Sequence, residues 1–255
     1  LQKFLYRLGE IIEASAKKIA SNETKKVLIK AETVTEMLGR KRYKPEVILD
    51  NNEVGIINGL AWTSVGGEIM QLEVAAMQGT GKIELTGSLG DVMKESARAA
   101  VSYVRANAQK YGIDSNFYKD LDIHIHATEA AVPKDGPSAG VTMVTAIVSA
   151  LTGKKIKRDI AMTGEVTLRG RVLKIGGLRE KAMAAYRGGV KTVFIPRENL
   201  PDLDEVDSVV KENVRFIPVS QVQEILQNAF VEETTSTKET VIFENYTKEV
   251  WIYEI

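Results

Sequence analysis

The sequence contains no cysteine, only two histidines and no excess of charge of either sign. The absence of cysteine excludes disulfides and cysteine-ligated metal sites. The 34 basic residues balance 34 acidic ones, which argues against nucleic-acid binding as the main task, because such binding needs a basic surface. The sequence shows neither a signal-peptide pattern nor an apolar run long enough to span a bilayer, so we expect no membrane partner.

The 255 residues are 44% hydrophobic and 27% charged, a composition typical of a globular protein of one or two domains. Segments with strand-like alternation interleave with segments of helical periodicity, and both short turns and longer crossovers connect them. This order predicts an α/β or α+β fold in which helices pack on a mixed β-sheet.

The first part of the chain, residues 1–42, differs from the rest. Residues 1–20 have the apolar stripe of an amphipathic helix, residues 25–30 are predicted to form a short strand, and residues 33–38 a short helix. A unit of this size is too small to fold well alone, and the sequence begins without Met inside the first helix, so we expect the end of a preceding domain. The basic run at residues 40–44 is predicted to be a linker rather than a nucleic-acid patch.

The main domain is predicted to cover residues 43–230. The last part, residues 231–255, begins with a polar, loop-like stretch. It continues with two strand-like runs, residues 240–243 and 250–253, which are predicted to form a hairpin. Nothing in the sequence assigns a role to this C-terminal extension.

The chemistry of the main domain is predicted at residues 132–140, between a strand-like run (121–126) and a long apolar run (141–151) that ends at Gly153. Glycine and proline crowd this junction, and Ser138 is the first good capping residue, so we expect a strand, a tight turn and a buried helix that begins at Ser138. The unpaired N–H groups of a helix start could hold an oxyanion beside the serine oxygen, as acyl transfer requires. The alternative is that Ser138 is only an N-cap.

The histidines do not provide an obvious base for Ser138. Gly136 to Gly140 matches G-x-S-x-G, the nucleophile elbow of α/β-hydrolases, but that fold needs a histidine downstream of the serine. His124 and His126, the two histidines of the sequence, both lie upstream. The order of triad residues varies between folds, so a histidine base remains an alternative. As a metal-binding pair the two histidines lack a convincing third ligand.

Lys181 is another candidate base, because a serine can also be activated by a lysine that is kept neutral. In the helix predicted over residues 178–187, Lys181 lies within the apolar face formed by Leu178, Ala182 and Ala185. A lysine in that position either extends its amine outward to water or is desolvated. Desolvation can lower a lysine pKa by about 3–5 from about 10.4.

The segment Gly79-Thr-Gly-Lys82 is not predicted to be a phosphate-binding loop. The P-loop pattern needs glycine at position 76 and serine or threonine at position 83, where this chain has Ala76 and Ile83. We therefore expect that this segment does not bind a nucleotide as a P-loop does.

Three motifs of the main domain resemble those of the Lon family of ATP-dependent proteases, type A. They are Pro133-Lys-Asp-Gly-Pro-Ser-Ala-Gly140, Thr163-Gly-Glu-Val-Thr-Leu-Arg-Gly170 and Ile175-Gly-Gly-Leu-Arg-Glu-Lys181. The resemblance covers about residues 43–230, and the residues before it look like the end of the ATPase module that precedes the protease domain in that family. The extension after Val231 departs from the family pattern.

The resemblance implies a serine endopeptidase with a Lon-type proteolytic fold. Ser138 is expected to be the nucleophile and Lys181 the general base of a Ser–Lys dyad, and Thr163 is expected to orient the lysine. Asp135 and Gly136 lie where the turn of that family shapes the site. The backbone N–H of Ser138 is a candidate oxyanion donor.

The resemblance also sets expectations for substrate, assembly and location. In such proteins an unfolded polypeptide is fed by an ATPase ring into a closed hexameric chamber and cut there, and Trp62 lies on a strand that borders the substrate groove. No cofactor or metal is expected in this chain, because ATP and Mg²⁺ belong to the ATPase domain of the full-length protein. The expected location is the bacterial cytoplasm, or the mitochondrial matrix in a eukaryote. The alternatives are a non-catalytic assembly module with the same fold and a small-ester hydrolase that uses an upstream histidine.

Overall fold

The computed structural model describes residues 2–39, 48–63, 66–128, 133–232, 242–244 and 250–252. The chain divides into two compact units, Leu1–Pro45 and Glu46–Ile255. The first contains two helices, α1 (Gln2–Ala20) and α2 (Ala31–Leu38). The strand predicted over residues 25–30 is wrong, because no other strand of the described part of this unit is available to pair with it.

The second unit contains the remaining helices and all the described strands. In chain order these are β1 (Glu53–Val54), β2 (Ile56–Thr63), β3 (Gly66–Gln78), β4 (Ile83–Thr86), α3 (Asp91–Ala106), α4 (Phe117–Asp120), β5 (Leu121–Ala127), α5 (Gly140–Thr152), β6 (Lys155–Ile156), β7 (Ile160–Met162), β8 (Glu165–Val166), β9 (Val172–Leu173), α6 (Leu178–Gly188), β10 (Thr192–Pro196), α7 (Ser208–Asn213), β11 (Arg215–Val219), α8 (Val222–Ala229), β12 (Ile242–Glu244) and β13 (Val250–Ile252). Short 3-10 helices lie at Ala108–Tyr111, Pro137–Ala139 and Arg197–Glu205. Within the described ranges, no helix combines the length and the apolar character needed to cross a membrane.

A seven-stranded sheet organises this unit, with the strand order β11-β10-β7-β2-β3-β5-β4. The strands β11, β10, β7 and β2 are parallel to one another, β3 is antiparallel to both β2 and β5, and β4 is parallel to β5. The predicted fold class, a mixed sheet with packed helices, is confirmed. In the C-terminal extension, β12 and β13 pair antiparallel, and the residues between them lie outside the described part.

Helices cover the sheet on two faces, and each face has its own hydrophobic core. One core joins α3, α5 and α8 to residues such as Ile57 and Leu72. The other joins α6 and α7 to residues such as Leu60 and Ile69. Ile57 pairs with Leu72 and Leu60 with Ile69, and the odd difference in position along β2 places the two pairs on opposite faces. Elements that bear candidate site residues therefore reach the sheet from both sides.

The start of α3 shows how a remote residue can replace a local helix cap. The sequence predicts a long helix over residues 88–111 with Ser88 as its cap, but Ser88 has a φ of 54° and the N-cap is Gly90. The carboxylate of Asp135 instead accepts the N–H of Met93 at 3.0 Å. A Cβ on Gly90 would lie 2.3 Å from the Asp135 carboxyl carbon, so glycine leaves the space that this cap needs.

The Gly79–Lys82 loop binds an internal carboxylate. Asp122 Oδ1 accepts the backbone N–H of Thr80 at 2.7 Å and that of Lys82 at 2.8 Å. These hydrogen bonds hold the pKa of Asp122 below its usual value. Because this carboxylate already occupies the loop's amides, the geometry supports the rejection of a phosphate site.

The helix α6 packs closely on the start of β3 because residue 67 has no side chain. A Cβ on Gly67 would lie 2.0 Å from the carbonyl oxygen of Glu180, in the first turn of α6. Arg187, in the last turn, also donates a hydrogen bond to Gly67 O at 3.0 Å. The position of α6 over the sheet therefore depends on this glycine.

We expect Gly67→Ala to lower the free energy of unfolding by about 1–3 kcal/mol, because the new methyl group displaces backbone rather than a flexible side chain. The measurement is urea unfolding followed by circular dichroism. Gly176→Ala is the matched control, since a Cβ there would meet nothing within 4 Å. Equal losses in the two variants would contradict the packing argument.

Candidate active site

Ser138 lies in the 3-10 helix Pro137–Ala139, which leads directly into α5. The N-cap of α5 is Ala139, without a side-chain capping hydrogen bond. The prediction that Ser138 caps the helix is therefore wrong. The additional 3-10 turn moves the start of the helix to Gly140 and leaves the serine hydroxyl available for another partner.

The two glycines of the G-x-S-x-G segment have different roles. Gly136 has φ 133° and ψ 158°, a conformation that side-chain-bearing residues rarely adopt. Gly140 allows close approach to β8, because a Cβ there would lie 2.8 Å from Val166 N. The carbonyl of Ser138 accepts the N–H of Gly164 at 2.7 Å, which fixes the serine backbone from the same side.

The side chain of Lys181 reaches this serine from α6. Its Nζ lies 3.1 Å from Ser138 Oγ and 3.0 Å from Thr163 Oγ1. Only 3% of Lys181 is exposed, and its helix neighbours Ala182 and Ala185 are fully buried in the core. Of the two alternatives that the sequence left open, the structure shows the desolvated lysine.

Thr163 directly follows β7 and completes the group of three polar side chains. It is buried, and its Oγ1 also lies 3.4 Å from the carbonyl oxygen of Ser138. Its backbone N–H donates to Phe194 O in the neighbouring strand β10. Thr163 therefore holds the lysine amine from a position that the sheet itself fixes.

Burial lowers the pKa of Lys181 from 10.5 to about 8. The cause is desolvation, which disfavours the charged ammonium. At pH 8 about half of the amine is therefore neutral and carries a lone pair within hydrogen-bond distance of the serine oxygen.

Asp135 and Gly136 shape the turn before Ser138. Besides capping α3, Asp135 Oδ1 accepts the backbone N–H of Gly136 at 2.9 Å. The backbone of Lys134 pairs with that of Leu89, ahead of α3. The carboxylate thus fastens the turn to a helix. Among the described residues it makes no hydrogen bond to the side chains of Ser138, Thr163 or Lys181.

A cavity of about 440 Å³ lies beside Ser138 and Lys181. Its walls are mainly apolar and include Leu60, Ile69, Met70, Met93, Pro137 and Ile175. Charged side chains also line it: Glu68, Lys134, Lys174 and Asp135. The cavity can therefore hold an apolar side chain next to the serine oxygen.

Trp62 lines the same cavity and is 54% exposed. A Cβ on Gly177 would come within 1.5 Å of Trp62 Cδ1, so the indole lies directly on the N-cap residue of α6. Near Trp62 the sheet also has an open edge, because the pairing of β2 with β7 ends at Gly59 and no other described strand pairs with that side of β2. An extended peptide could add there as a further strand.

The histidines lie elsewhere in the sheet. His124 Nε2 and His126 Nδ1 lie 2.8 and 2.7 Å from Thr86 Oγ1, and neither residue lines the cavity beside Ser138. The histidine-base alternative therefore has no support in the geometry. Within the described ranges, no group of three His, Cys, Asp or Glu side chains is placed to hold a metal ion.

No sequence pattern points to the two methionines of the cavity wall or to the contact of Trp62 with Gly177. Met70 is predictable as a buried strand residue and Met93 as a buried helix residue, and both are buried. Their joint position beside Ser138 depends on how α3 packs against the sheet. No local pattern contains that information.

Comparison with known proteins identifies the family of this chain. The model of the Lon protease (S16) C-terminal proteolytic domain matches residues 28–232. The Lon protease of Finegoldia magna is 51% identical over 224 residues, which are 88% of this chain and 29% of the relative. The Lon protease of Clostridium acetobutylicum is 48% identical over 225 residues, which are 88% of this chain and 29% of the relative. Lon protease 1 of Bacillus subtilis is 46% identical over 227 residues, which are 89% of this chain and 29% of the relative. The chain thus spans less than a third of the length of these relatives.

We expect Lys181→Met to be more stable than the parent chain at pH 7, by about 1–3 kcal/mol, because burying an ammonium is costly. The folded-state pKa of about 8 lies below the unfolded value, so the cost is complete below pH 8 and disappears as pH rises towards about 10.4. The measurement is urea unfolding from pH 6 to 10. The exposed Lys191→Met variant should show no such pH-dependent gain, and a Lys181→Met gain independent of pH would contradict the burial argument.

Proposed function

Because this chain belongs to the Lon protease (S16) C-terminal proteolytic domain family, we propose that it is a serine endopeptidase domain with Ser138 as nucleophile and Lys181 as general base. The observation that carries the proposal is the 3.1 Å distance between Lys181 Nζ, which is buried, and Ser138 Oγ. A lysine that is partly neutral near pH 8 can accept the serine proton without a histidine.

In the acylation step, the neutral amine of Lys181 takes the proton of Ser138 as its oxygen attacks the scissile carbonyl carbon. Thr163 keeps the amine aimed at Ser138 through its own hydrogen bond. The backbone N–H of Ser138 stabilises the oxygen that becomes negative. The ammonium of Lys181 then gives its proton to the leaving amine, and an acyl-enzyme remains on Ser138.

In the deacylation step, Lys181 acts a second time as the base. It takes a proton from a water molecule that attacks the acyl carbonyl carbon, and it returns a proton to Ser138 Oγ when the ester bond breaks. The apolar walls of the cavity reduce the number of competing waters and keep the lysine desolvated between turnovers.

The substrate is proposed to be an unfolded polypeptide bound in extended form. The unpaired side of β2 near Trp62 offers backbone groups to such a chain, and the cavity accepts one of its apolar side chains. Backbone that is already hydrogen-bonded within a folded protein is not available for this addition, so such a segment has to be unfolded before it is cut.

The unfolding motor is proposed to lie in the longer protein. The chain covers 29% of its relatives, which leaves room for an ATPase module that binds ATP and Mg²⁺. Residues 1–42 are proposed to be the end of that module, residues 43–230 the proteolytic domain and residues 231–255 an extension without an assigned role. We further propose a homo-hexamer that degrades damaged proteins in the bacterial cytoplasm, or in the mitochondrial matrix of a eukaryote.

We expect Ser138→Ala to abolish peptide hydrolysis and labelling by a fluorophosphonate, because the variant has no nucleophilic oxygen. Its stability should fall by no more than about 1–2 kcal/mol, since Ser138 does not cap α5 and the Lys181 amine loses one hydrogen-bond partner but keeps Thr163. The control variants His124→Ala and His126→Ala should keep both activities. Hydrolysis by pure Ser138→Ala protein, or its loss in a histidine variant, would refute the assignment.

We expect kcat/KM of the parent to rise with pH through about 8 and then reach a plateau, because only the neutral form of Lys181 is a base. Lys181→Arg should lose about 10²–10⁴-fold in kcat/KM, since a guanidinium does not deprotonate in proteins. The measurement is hydrolysis of a fluorogenic peptide from pH 6 to 10, with the exposed Lys191→Arg as control. A Lys181→Arg profile equal to that of the parent would show that Lys181 is only structural.

A further inference from the structure

The segment that precedes the nucleophile is fastened to the first turns of α3. Gly90 donates its N–H to Lys134 O at 2.7 Å, and Met93 donates its N–H to the side chain of Asp135 at 3.0 Å. Ala97, one turn after Met93, is fully buried. These hydrogen bonds hold residues 134 and 135 of the loop against the start of α3.

A further contact between α3 and the loop before Ser138 involves Ser96, which lies three residues after Met93 on the same face of the helix. Its hydroxyl donates a hydrogen bond to the carbonyl oxygen of Pro137 at 3.3 Å. Ser96 is only 8% exposed, and its hydroxyl has no role in the proposed proton transfers. The same carbonyl also accepts the N–H of Gly140 within the 3-10 turn.

The carbonyl of Pro137 belongs to the same peptide unit as the N–H of Ser138. A peptide unit is planar, and no peptide bond of the described residues is cis, so its C=O and N–H point in opposite directions. A group that fixes the direction of Pro137 O therefore also fixes the direction of the Ser138 N–H. A rotation of this peptide would turn the N–H away from the position where the oxyanion forms.

We propose that Ser96 is a positioning residue: through Pro137 O it orients the Ser138 N–H that stabilises the oxyanion. This inference rests on the proposed function, because it assigns Ser138 the role of nucleophile. Ser96 does not line the cavity beside Ser138, and it acts through the peptide that it holds. Its effect belongs to the transition state, in which the charge on the oxygen develops, rather than to substrate binding.

The test compares Ser96→Ala and Ser96→Cys with the parent 255-residue chain, with a fluorogenic peptide as substrate. Cysteine has nearly the shape of serine, but its thiol is a weak donor, so it preserves packing and weakens the hydrogen bond. We expect both variants to lower kcat about three- to tenfold, with KM and the apparent pKa of the pH profile unchanged. The inhibition constant of a peptide boronate, which forms a tetrahedral adduct with Ser138, should rise by a similar factor.

Ser102→Ala is the matched control, because Ser102 is exposed on the same helix and its loss reports only the change in helix propensity. It should leave kcat unchanged. A Ser96→Cys variant that works like the parent while Ser96→Ala is slow would show a packing role and overturn the proposal, as would unchanged kcat in both. Activity in Ser138→Ala would refute the proposed function itself, whatever the Ser96 variants show.

Discussion

The site depends on one buried contact, in which the amine of Lys181 meets the hydroxyls of Ser138 and Thr163. Keeping this amine charged inside the fold would cost about 3 kcal/mol, the equivalent of the fall in its pKa from 10.5 to about 8. No carboxylate is paired with it in the described residues to offset that cost. The amine is therefore partly neutral at a pH where an exposed lysine is fully charged, and this is the property that a base requires.

The contact exists because two layers of the fold meet at the end of a short strand. The serine loop belongs to the layer of α3 and α5, and the lysine belongs to α6 on the opposite face of the sheet. β7 ends at Met162, and Thr163 follows where the strand no longer separates the two layers. The absence of a side chain at Gly67 lets α6 approach the start of β3 closely, and Lys181 reaches Ser138 from that helix.

The errors of the sequence analysis share a physical cause. Ser88 and Ser138 both have the composition of a helix cap, and neither is one. The cap of α3 comes from Asp135, a residue 42 positions from Met93 in the chain, and a 3-10 turn delays the start of α5. Capping preferences describe what is available locally, and a partner from another segment replaces the local choice whenever packing supplies it.

The sequence by itself determined the features that depend on local periodicity and chemistry. The helical repeat placed Lys181 within the apolar stripe of α6 without deciding whether its amine reaches water, and the lack of a downstream histidine left lysine as an alternative base. Only the tertiary structure decided that Lys181 Nζ lies 3.1 Å from Ser138 Oγ, that Thr163 joins them and that the histidines are bound to Thr86 elsewhere. The physical reason is that a repeat fixes which face of an element is buried, whereas a contact between residues 43 positions apart depends on how closely separate elements pack.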